Sequence, residues 1–485
     1  MTAQRRKIVL GGPGVGKTHS LLARVEEALR AGVPPTRIAF VAFTRAAAEE
    51  AKSRAKTRFN LADKDLPYFR TLHSLCFREL GTSRSDILMM EGLEEFAEIV
   101  SEELTGHASP DSPPSLPGDR MLAVDELSRT MRIPLKEAWN RIGEDLEWYR
   151  TKRFSEAFRI YKTERGFLDF TDLLIKFAEE GWPIPVDLAI IDEGQDLTDL
   201  QWAVVEKAFS SAAELIIAGD DDQAIYAWSG ASGGRFLALP YEREVLPVSH
   251  RLPAAVFEFA QSIVSRVTTR FEKHTRPGDR PGKVEWVANP EEVDFSQGSW
   301  LALARTRHQL TALGEMLREQ GVTYTMHGES SVDMEHVRAI QAHEQFRKGW
   351  RIEGTEAALA VKASGLKRQV DTTQTYTAEE LQYDVSQIWH DALVKIPTRQ
   401  REYYLACRRR GEPLHEPPRI RISTIHGAKG AEAESVLLLT DLTYRAQRGF
   451  ENDPDSEHRV FYVGATRAGR NLFLVPPKSV YGYAI

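Results

Sequence analysis

Eight consecutive residues near the N-terminus, Gly11, Gly12, Pro13, Gly14, Val15, Gly16, Lys17 and Thr18, combine four glycines with a lysine and a hydroxyl. Glycines at that density let backbone N–H groups curl around an anion, and a helix starting at the lysine adds its partial positive charge. The spacing is that of a phosphate loop, in which Lys17 reaches the outer phosphates and the Thr18 hydroxyl holds Mg²⁺. The flanks suit it: apolar "KIVL" precedes and amphipathic "HSLLARVEEALRA" follows. The plain alternative is a glycine-rich turn from strand to helix.

A second group, "LAIIDEGQD", ends an apolar run in acids. Asp192 at the strand end is placed to bind the same Mg²⁺, and Glu193 to orient and deprotonate an attacking water. A strand ending in solvated acids is the competing reading. The third group, "GDDDQAIYAWSGA", packs three carboxylates, Gln223 and two large aromatics into ten residues after "ELIIAG". One site that uses both kinds of residue has a nucleotide on one side and a flat, stackable polymer on the other. Tyr226 and Trp228 either stack on a flat polymer or pack in a core.

These groups need rigid supports. "KIVLGG", "RIAFVAF", "DLAIIDE" and "ELIIAGD" are short, rich in Ile, Val and Phe, and separated by amphipathic helical patterns, which predicts buried parallel strands of a doubly wound α/β domain. "WLALAR", "RIRISTIHG", "ESVLLLTD" and "NLFLVP" predict a second such set. "TRHQLTALGEMLREQG" has helical spacing and closes on Gly321. Helix-rich segments interrupt both sets, at about 80–165 and 346–415. The first is broken by "TGHASPDSPPSLPGD", which predicts an exposed loop.

At 485 residues, 42% hydrophobic and 27% charged, the chain has the composition of a multidomain globular protein. No apolar run is long enough to span a membrane, and the N-terminus lacks a leader pattern. Cys76 and Cys407 are the sole cysteines, which excludes a disulfide framework and suits a reducing, cytoplasmic setting. A formal net charge of −7 argues against coating nucleic acid by bulk electrostatics, but not against a local basic groove. His327, His390 and His415 show no metal-ligand spacing. Arg408, Arg409 and Arg410 form either a solvated face or a contact with duplex DNA.

In order, "GGPGVGKT", "AFTRAAAEEAKSR", "TLHSLCFREL", "DEGQD", "GDDDQAIYAWSGA", "VSHRLP", "ISTIHGAKGAEAESVLLL" and "VFYVGATRA" resemble the motifs of superfamily 1A DNA helicases of the UvrD/Rep/PcrA type, from Gly11 to about residue 475. The resemblance implies two RecA-like doubly wound domains, each with a largely helical insertion. Domain 1A would take residues 1–80 and 166–250, insertion 1B 81–165, domain 2A 251–345 and 416–485, and a reduced insertion 2B 346–415. It further implies ATP and Mg²⁺ in the cleft, and a 3′→5′ motor on single-stranded DNA that opens single/double-strand junctions. Replication or repair proteins would be its partners, with no membrane association.

The resemblance also assigns roles. Arg251 and Arg467 match arginines that reach the γ-phosphate, and Gln195 and Gln223 match residues coupling the nucleotide to DNA. Glu432 matches the acid that accepts from the ribose. Phe43, Thr44, His73, Tyr226, Trp228 and His426 match the strand-binding track.

Several departures modify those implications. Gln4 stands too close to the phosphate loop to match the family's adenine-reading glutamine, and His250 replaces the usual adenine-stacking Tyr. Both loosen the expected choice of base. The short second insertion and the early end after "NLFLVPP" suit a compact member of the kind a phage encodes, without a fused nuclease. Two other activities share the motifs. One is a DNA-dependent ATPase that displaces bound proteins without productive unwinding; the other is a non-catalytic DNA-binding scaffold, against which intact Lys17, Asp192, Glu193 and Arg467 argue.

Overall fold

Strand β1 (Arg5–Leu10) alternates its buried side chains between two cores, and that alternation organises the N-terminal part of the chain. The computed structural model describes residues 4–106, 114, 116–231 and 233–484. With β1 lie β2 (Ile38–Ala42), β3 (Tyr68–Thr71), β4 (Leu188–Ile191), β5 (Glu214–Gly219) and β6 (Glu242–Val245). They form one sheet in the order β3-β2-β4-β5-β1-β6, and every adjacent pair is parallel.

Ile8, Val41, Ile191 and Ile217 face one side, against the helices Leu72–Glu79, Phe170–Glu180 and Asp199–Ala208. Val9, Phe40, Ile190 and Ile216 face the other, against Lys17–Arg30 and Arg45–Phe59. A parallel sheet covered on both faces needs such continuous apolar runs, which is why these central strands read as they do.

The second sheet contains β7 (Lys283–Trp286), β8 (Trp300–Ala304), β9 (Tyr324–Met326) and β10 (Glu329–Ser330). It also holds β13 (Ile420–Thr424), β14 (Ala433–Leu439) and β15 (Ala468–Val475), in the order β10-β9-β13-β8-β14-β15-β7. Its β9-β13-β8-β14-β15 core is parallel, whereas β10 runs antiparallel to β9. The expected helix is present at Arg307–Glu319, followed by Gly321 in the left-handed region. A small antiparallel ribbon, β11 (Ile352–Glu353) with β12 (Thr375–Tyr376), belongs to the second insertion.

Both insertions are mainly helical and have their own cores, around Phe96, Phe154 and Phe158 in the first and Tyr404, Trp389 and Phe346 in the second. The architecture is therefore two mostly parallel α/β sheets with helical insertions, as the sequence predicts. Of the expected loop at Thr105–Asp119, residues 107–113 and 115 lie outside the described residues, and Pro117 already opens the helix Pro117–Met131.

The chain divides into two compact units, Met1–Lys283 with Arg448–Thr466, and Val284–Gln447 with Arg467–Ile485. The first therefore includes residues 251–283 and the late helix Pro454–Ala465, which packs on the helix Ala254–Val264. Among the described residues no helix is long and apolar enough to cross a membrane.

Candidate active site

In an open parallel sheet, side chains able to meet a ligand collect beyond the carboxyl ends of the strands. Within the first unit, β1 delivers Gly11, β2 Phe43 and Thr44, β3 His73, β4 Asp192 and Glu193, β5 Asp220 and Gln223, and β6 leads to His250 and Arg251. Six strands thus bring six separate motifs to one edge.

The glycine-rich loop is packed from above. Gly14 has φ +72, and a Cβ there would lie 2.4 Å from Cβ of Arg251. Ser249 Oγ donates to the Pro13 carbonyl at 2.7 Å, and the His250 amide donates to the Gly14 carbonyl at 2.9 Å. The segment "SHR" is accordingly built onto the phosphate loop, with Arg251 donating to the Thr466 carbonyl at 3.2 Å. Lys17 donates to the Gly11 carbonyl at 2.8 Å and the Gly12 carbonyl at 3.4 Å, so its ammonium is held over the loop. Val15 is buried beneath it.

Asp192 accepts from the Thr18 hydroxyl and from the Glu193 amide, the latter at 3.0 Å. Burial pushes its carboxyl up to about 7, helped by neighbouring Glu193 and opposed by Lys17 and the Thr18 hydrogen bond. A carboxylate so desolvated, beside a hydroxyl and at the end of a phosphate loop, is the oxygen donor set a hard divalent cation shares with phosphate.

Glu193 adopts φ 57, ψ 42, a left-handed conformation that costs a non-glycine residue about 1–3 kcal/mol. Its carboxylate accepts from Gln195 Nε2 at 2.6 Å. Gln195, fully buried, also donates to Asp196 at 3.1 Å and accepts from the Asp220 amide at 2.9 Å. Asp220 in turn accepts from Gln223 Nε2 at 2.6 Å. The two glutamines and the candidate base are therefore linked through one aspartate.

Asp220, Asp221 and Asp222 have partners that the sequence reading did not identify. Lys273 Nζ lies 3.2, 2.6 and 2.9 Å from carboxylate oxygens of the three. Arg270 grips Asp222 through two nitrogens, at 2.8 and 2.7 Å. Burial would lower the Lys273 ammonium, but the three carboxylates outweigh it and raise it. The three acids are thus held in an internal charge lattice. Fifty residues separate its halves, and no local spacing announces the pairing.

On the same edge runs an aromatic ledge. Trp228 is 43% exposed and Phe43 37%, so neither belongs to the core. Tyr226, half-buried, stacks on Phe43 with ring centres 5.8 Å apart and planes 16° from parallel. His73 meets exposed Phe170 edge-on at 6.0 Å, and burial holds its imidazole below the ordinary histidine range. Phe170 was not singled out by sequence, since an apolar residue opening a helix normally faces inward. Thr44 accepts from the Ala47 amide at 3.1 Å as the cap of the helix Arg45–Phe59.

In the second unit, Arg467 is 2% exposed and donates to the Ala431 carbonyl at 3.4 Å. It precedes β15, and exposed Glu432 precedes the neighbouring parallel strand β14. These two are thus neighbours at one end of their sheet. His426, buried, follows β13 at the opposite end.

Comparison with known proteins shows the family. A family model of the UvrD/REP helicase N-terminal domain matches residues 2–242, and one of the UvrD-like helicase C-terminal domain matches residues 369–478. The chain is similar to the ATP-dependent DNA helicase UvrD2 of Mycobacterium tuberculosis (strain ATCC 25618 / H37Rv), at 26% identity over 543 residues, covering 96% of this chain and 76% of that protein. It is also similar to the ATP-dependent DNA helicase Rep of Escherichia coli (strain K12), at 24% identity over 291 residues, 55% of this chain and 42% of that one. Rep of Buchnera aphidicola subsp. Baizongia pistaciae (strain Bp) matches at 23% over 290 residues, 55% and 42%.

Proposed function

The chain belongs to the UvrD/Rep type of superfamily 1 helicases, with their general ATP-dependent DNA helicase or translocase activity, and on that premise we propose a 3′→5′ single-stranded DNA translocase that separates strands at single/double-strand junctions. One observation carries the reading furthest. The phosphate loop, the Asp192–Glu193 pair, both glutamines and the aromatic ledge all leave the same edge of one parallel sheet, and Asp220 bonds to both glutamines.

In this reading residues 1–80 and 166–250 act as the first motor domain, 251–345 and 416–485 as the second, and 81–165 and 346–415 as their insertions. Gly11 to Gly16 wrap the phosphates of ATP, and Lys17 pairs with the outer ones. Thr18 and Asp192 would hold Mg²⁺, whose charge would offset that of the phosphates. Glu193 takes the proton of the attacking water. Arg251 and Arg467 stabilise charge on the γ-phosphate, a contribution of about 10³–10⁵ in rate where arginine fingers have been tested. His250 stacks on the base and Glu432 accepts from the ribose.

Gln195 and Gln223 report the γ-phosphate to the strand track of Phe43, Thr44, His73, Tyr226, Trp228 and His426. Opening one base-pair step costs about 1.4 kcal/mol on average, so stepping is tied to turnover rather than to binding. The two buried free thiols suit a cytoplasmic protein.

The test is ATP turnover with and without single-stranded DNA, followed by unwinding of 3′-tailed and 5′-tailed duplexes. Stimulated turnover with opening of the 3′-tailed substrate is the expected result. Preference for the 5′ tail would reverse the polarity. Stimulated turnover without unwinding would favour displacement of bound proteins, and turnover indifferent to DNA would end the reading.

A further inference from the structure

The charge lattice behind the site ties three buried acids to Lys273 and Arg270. The Lys273 side chain is 3% exposed and touches all three acids. Asp221 and Asp222 have other partners: the Phe271 amide donates to Asp221 at 2.7 Å, and Arg270 holds Asp222. Asp220 is different. It is fully buried; its carboxylate meets Lys273 at 3.2 Å and accepts from Gln223 at 2.6 Å and the Asp222 amide at 3.2 Å, while its own amide donates to Gln195. Burial would push the Asp220 carboxyl up, but Lys273 first and Lys17 second outweigh it and hold it low.

Asp220 therefore lies within the fields of two ammonium groups, one of them in the phosphate loop. Of the two ammonium groups, Lys273 is the one that contacts its carboxylate directly, at 3.2 Å. The same lattice reaches the late helix of the first unit. Arg459 donates to the Asp221 carbonyl at 3.0 Å. Asp455 accepts from the amides of Thr268 and Thr269, both at 2.9 Å, just before Arg270.

We propose that Lys273 is a positioning residue of the ATP-hydrolysing centre, holding Asp220 so that Gln195 and Gln223 keep Glu193 oriented and pass nucleotide state to the DNA track. This rests on the reading given under Proposed function, and deepens it. Lys273, its side chain enclosed by the three acids, is placed to act through Asp220. A solely structural ammonium would lower stability and activity together. A positioning one lowers turnover and coupling beyond what lost stability accounts for.

Lys273→Met is compared with Asp222→Asn, which loosens the same lattice without touching either glutamine. Four quantities are read in the full chain: melting temperature, affinity for a fluorescent ATP analogue, KM and kcat with single-stranded DNA, and the ratio of DNA affinities with and without a non-hydrolysable ATP analogue. Lys273→Met is expected to lower stimulated kcat about tenfold with KM within about twofold, and to bring the affinity ratio close to one. Asp222→Asn is expected to lose comparable melting temperature while keeping kcat and the ratio.

Unchanged kcat and ratio in Lys273→Met would overturn the proposal, as would equal losses in both variants. If Lys273→Met does not fold, Lys273→Arg keeps the charge but puts a planar fork in a site fitted to an ammonium. It is expected to melt near the wild type with reduced kcat, and wild-type kcat there would count equally against the idea. A wild type whose turnover ignores DNA refutes the motor reading instead. Positioning is then judged on basal kcat and analogue affinity, where no change in Lys273→Met refutes it.

Discussion

Gln195 reaches back two residues to donate its side-chain amide to Glu193 at 2.6 Å, fixing a carboxylate whose own backbone is left-handed. The base and its orienter are therefore one unit. Glu193→Gln is expected to bind ATP analogue and DNA normally and to lose about 10²–10⁴ in turnover, the usual range for a positioned general base. Gln195→Glu, which sets a second carboxylate against the first, is expected to reduce kcat with little change in KM. Steady-state kinetics beside equilibrium nucleotide binding measure both, and normal turnover in Glu193→Gln would remove its assignment as base.

Trp228 and Phe43 differ in what they lean on. Trp228 is an exposed ring at the 3₁₀ turn Ala227–Ser229, whereas Phe43 shares a stack with Tyr226. Trp228→Ala is expected to weaken single-strand binding by about 1–3 kcal/mol, with no preference for base sequence. Its loss of DNA-stimulated turnover should exceed its loss of basal turnover. Fluorescence anisotropy with homopolymers of different bases checks the first point, and equal losses in the two rates would count against stacking.

Gly230 ends that turn with φ +92, and a Cβ there would lie 2.9 Å from Met131 and 3.2 Å from the Thr130 hydroxyl. The helix Pro117–Met131 of the first insertion thus packs against the end of the turn that carries Trp228. Gly230→Ala is expected to strain the turn and lower both melting temperature and DNA affinity. Retained analogue affinity would place the damage at the strand track. Met131→Ala combined with Gly230→Ala should recover part of the loss by removing the nearest obstacle.

His343, fully buried on the helix Met334–Arg347 that leads into the second insertion, lies 2.8 Å from the Tyr383 hydroxyl through Nδ1 and 3.1 Å from the Gln387 carbonyl through Nε2. The carbonyl can only accept, so Nε2 carries the proton and Tyr383 donates to Nδ1. Burial holds the imidazole below its ordinary range, despite the Gln387 hydrogen bond and nearby Glu344 and Asp384. A histidine depressed in the folded state contributes stability above its unfolded value of about 6.5, and that contribution is lost as pH falls toward the folded value. Melting temperature should therefore decline on going below about pH 6.5, and less steeply in His343→Gln. Parallel pH curves for the two proteins would contradict this.

The central strands were legible because burial on both faces demands unbroken apolar runs, as in "LAII" of β4 and "LIIA" of β5. Strands at or near sheet edges were not. β3 (Tyr68–Thr71), β6 (Glu242–Val245) and β7 (Lys283–Trp286) have partly exposed faces and carry charges, so their composition resembles a loop.

The site divides the same way. Contiguous groups such as Gly11 to Thr18 announce themselves, because the chemistry needs neighbours in sequence. The left-handed backbone of Glu193 is a φ value that no residue type encodes. Arg251 gave a motif but not its packing on Gly14, and Lys273 gave neither, being one lysine in a polar stretch until the fold sets it under three aspartates.

The path of the chain has a consequence for its synthesis. Residues 448–466 belong to the first unit, although everything between 284 and 447 belongs to the second. Emerging from a ribosome, the N-terminal lobe must wait, with one flank of the helix Ala254–Val264 uncovered, until residues 448–466 have been made. A nascent chain arrested anywhere short of residue 466 exposes that flank, and should be chaperone-bound and protease-sensitive there even after its own sheet has formed.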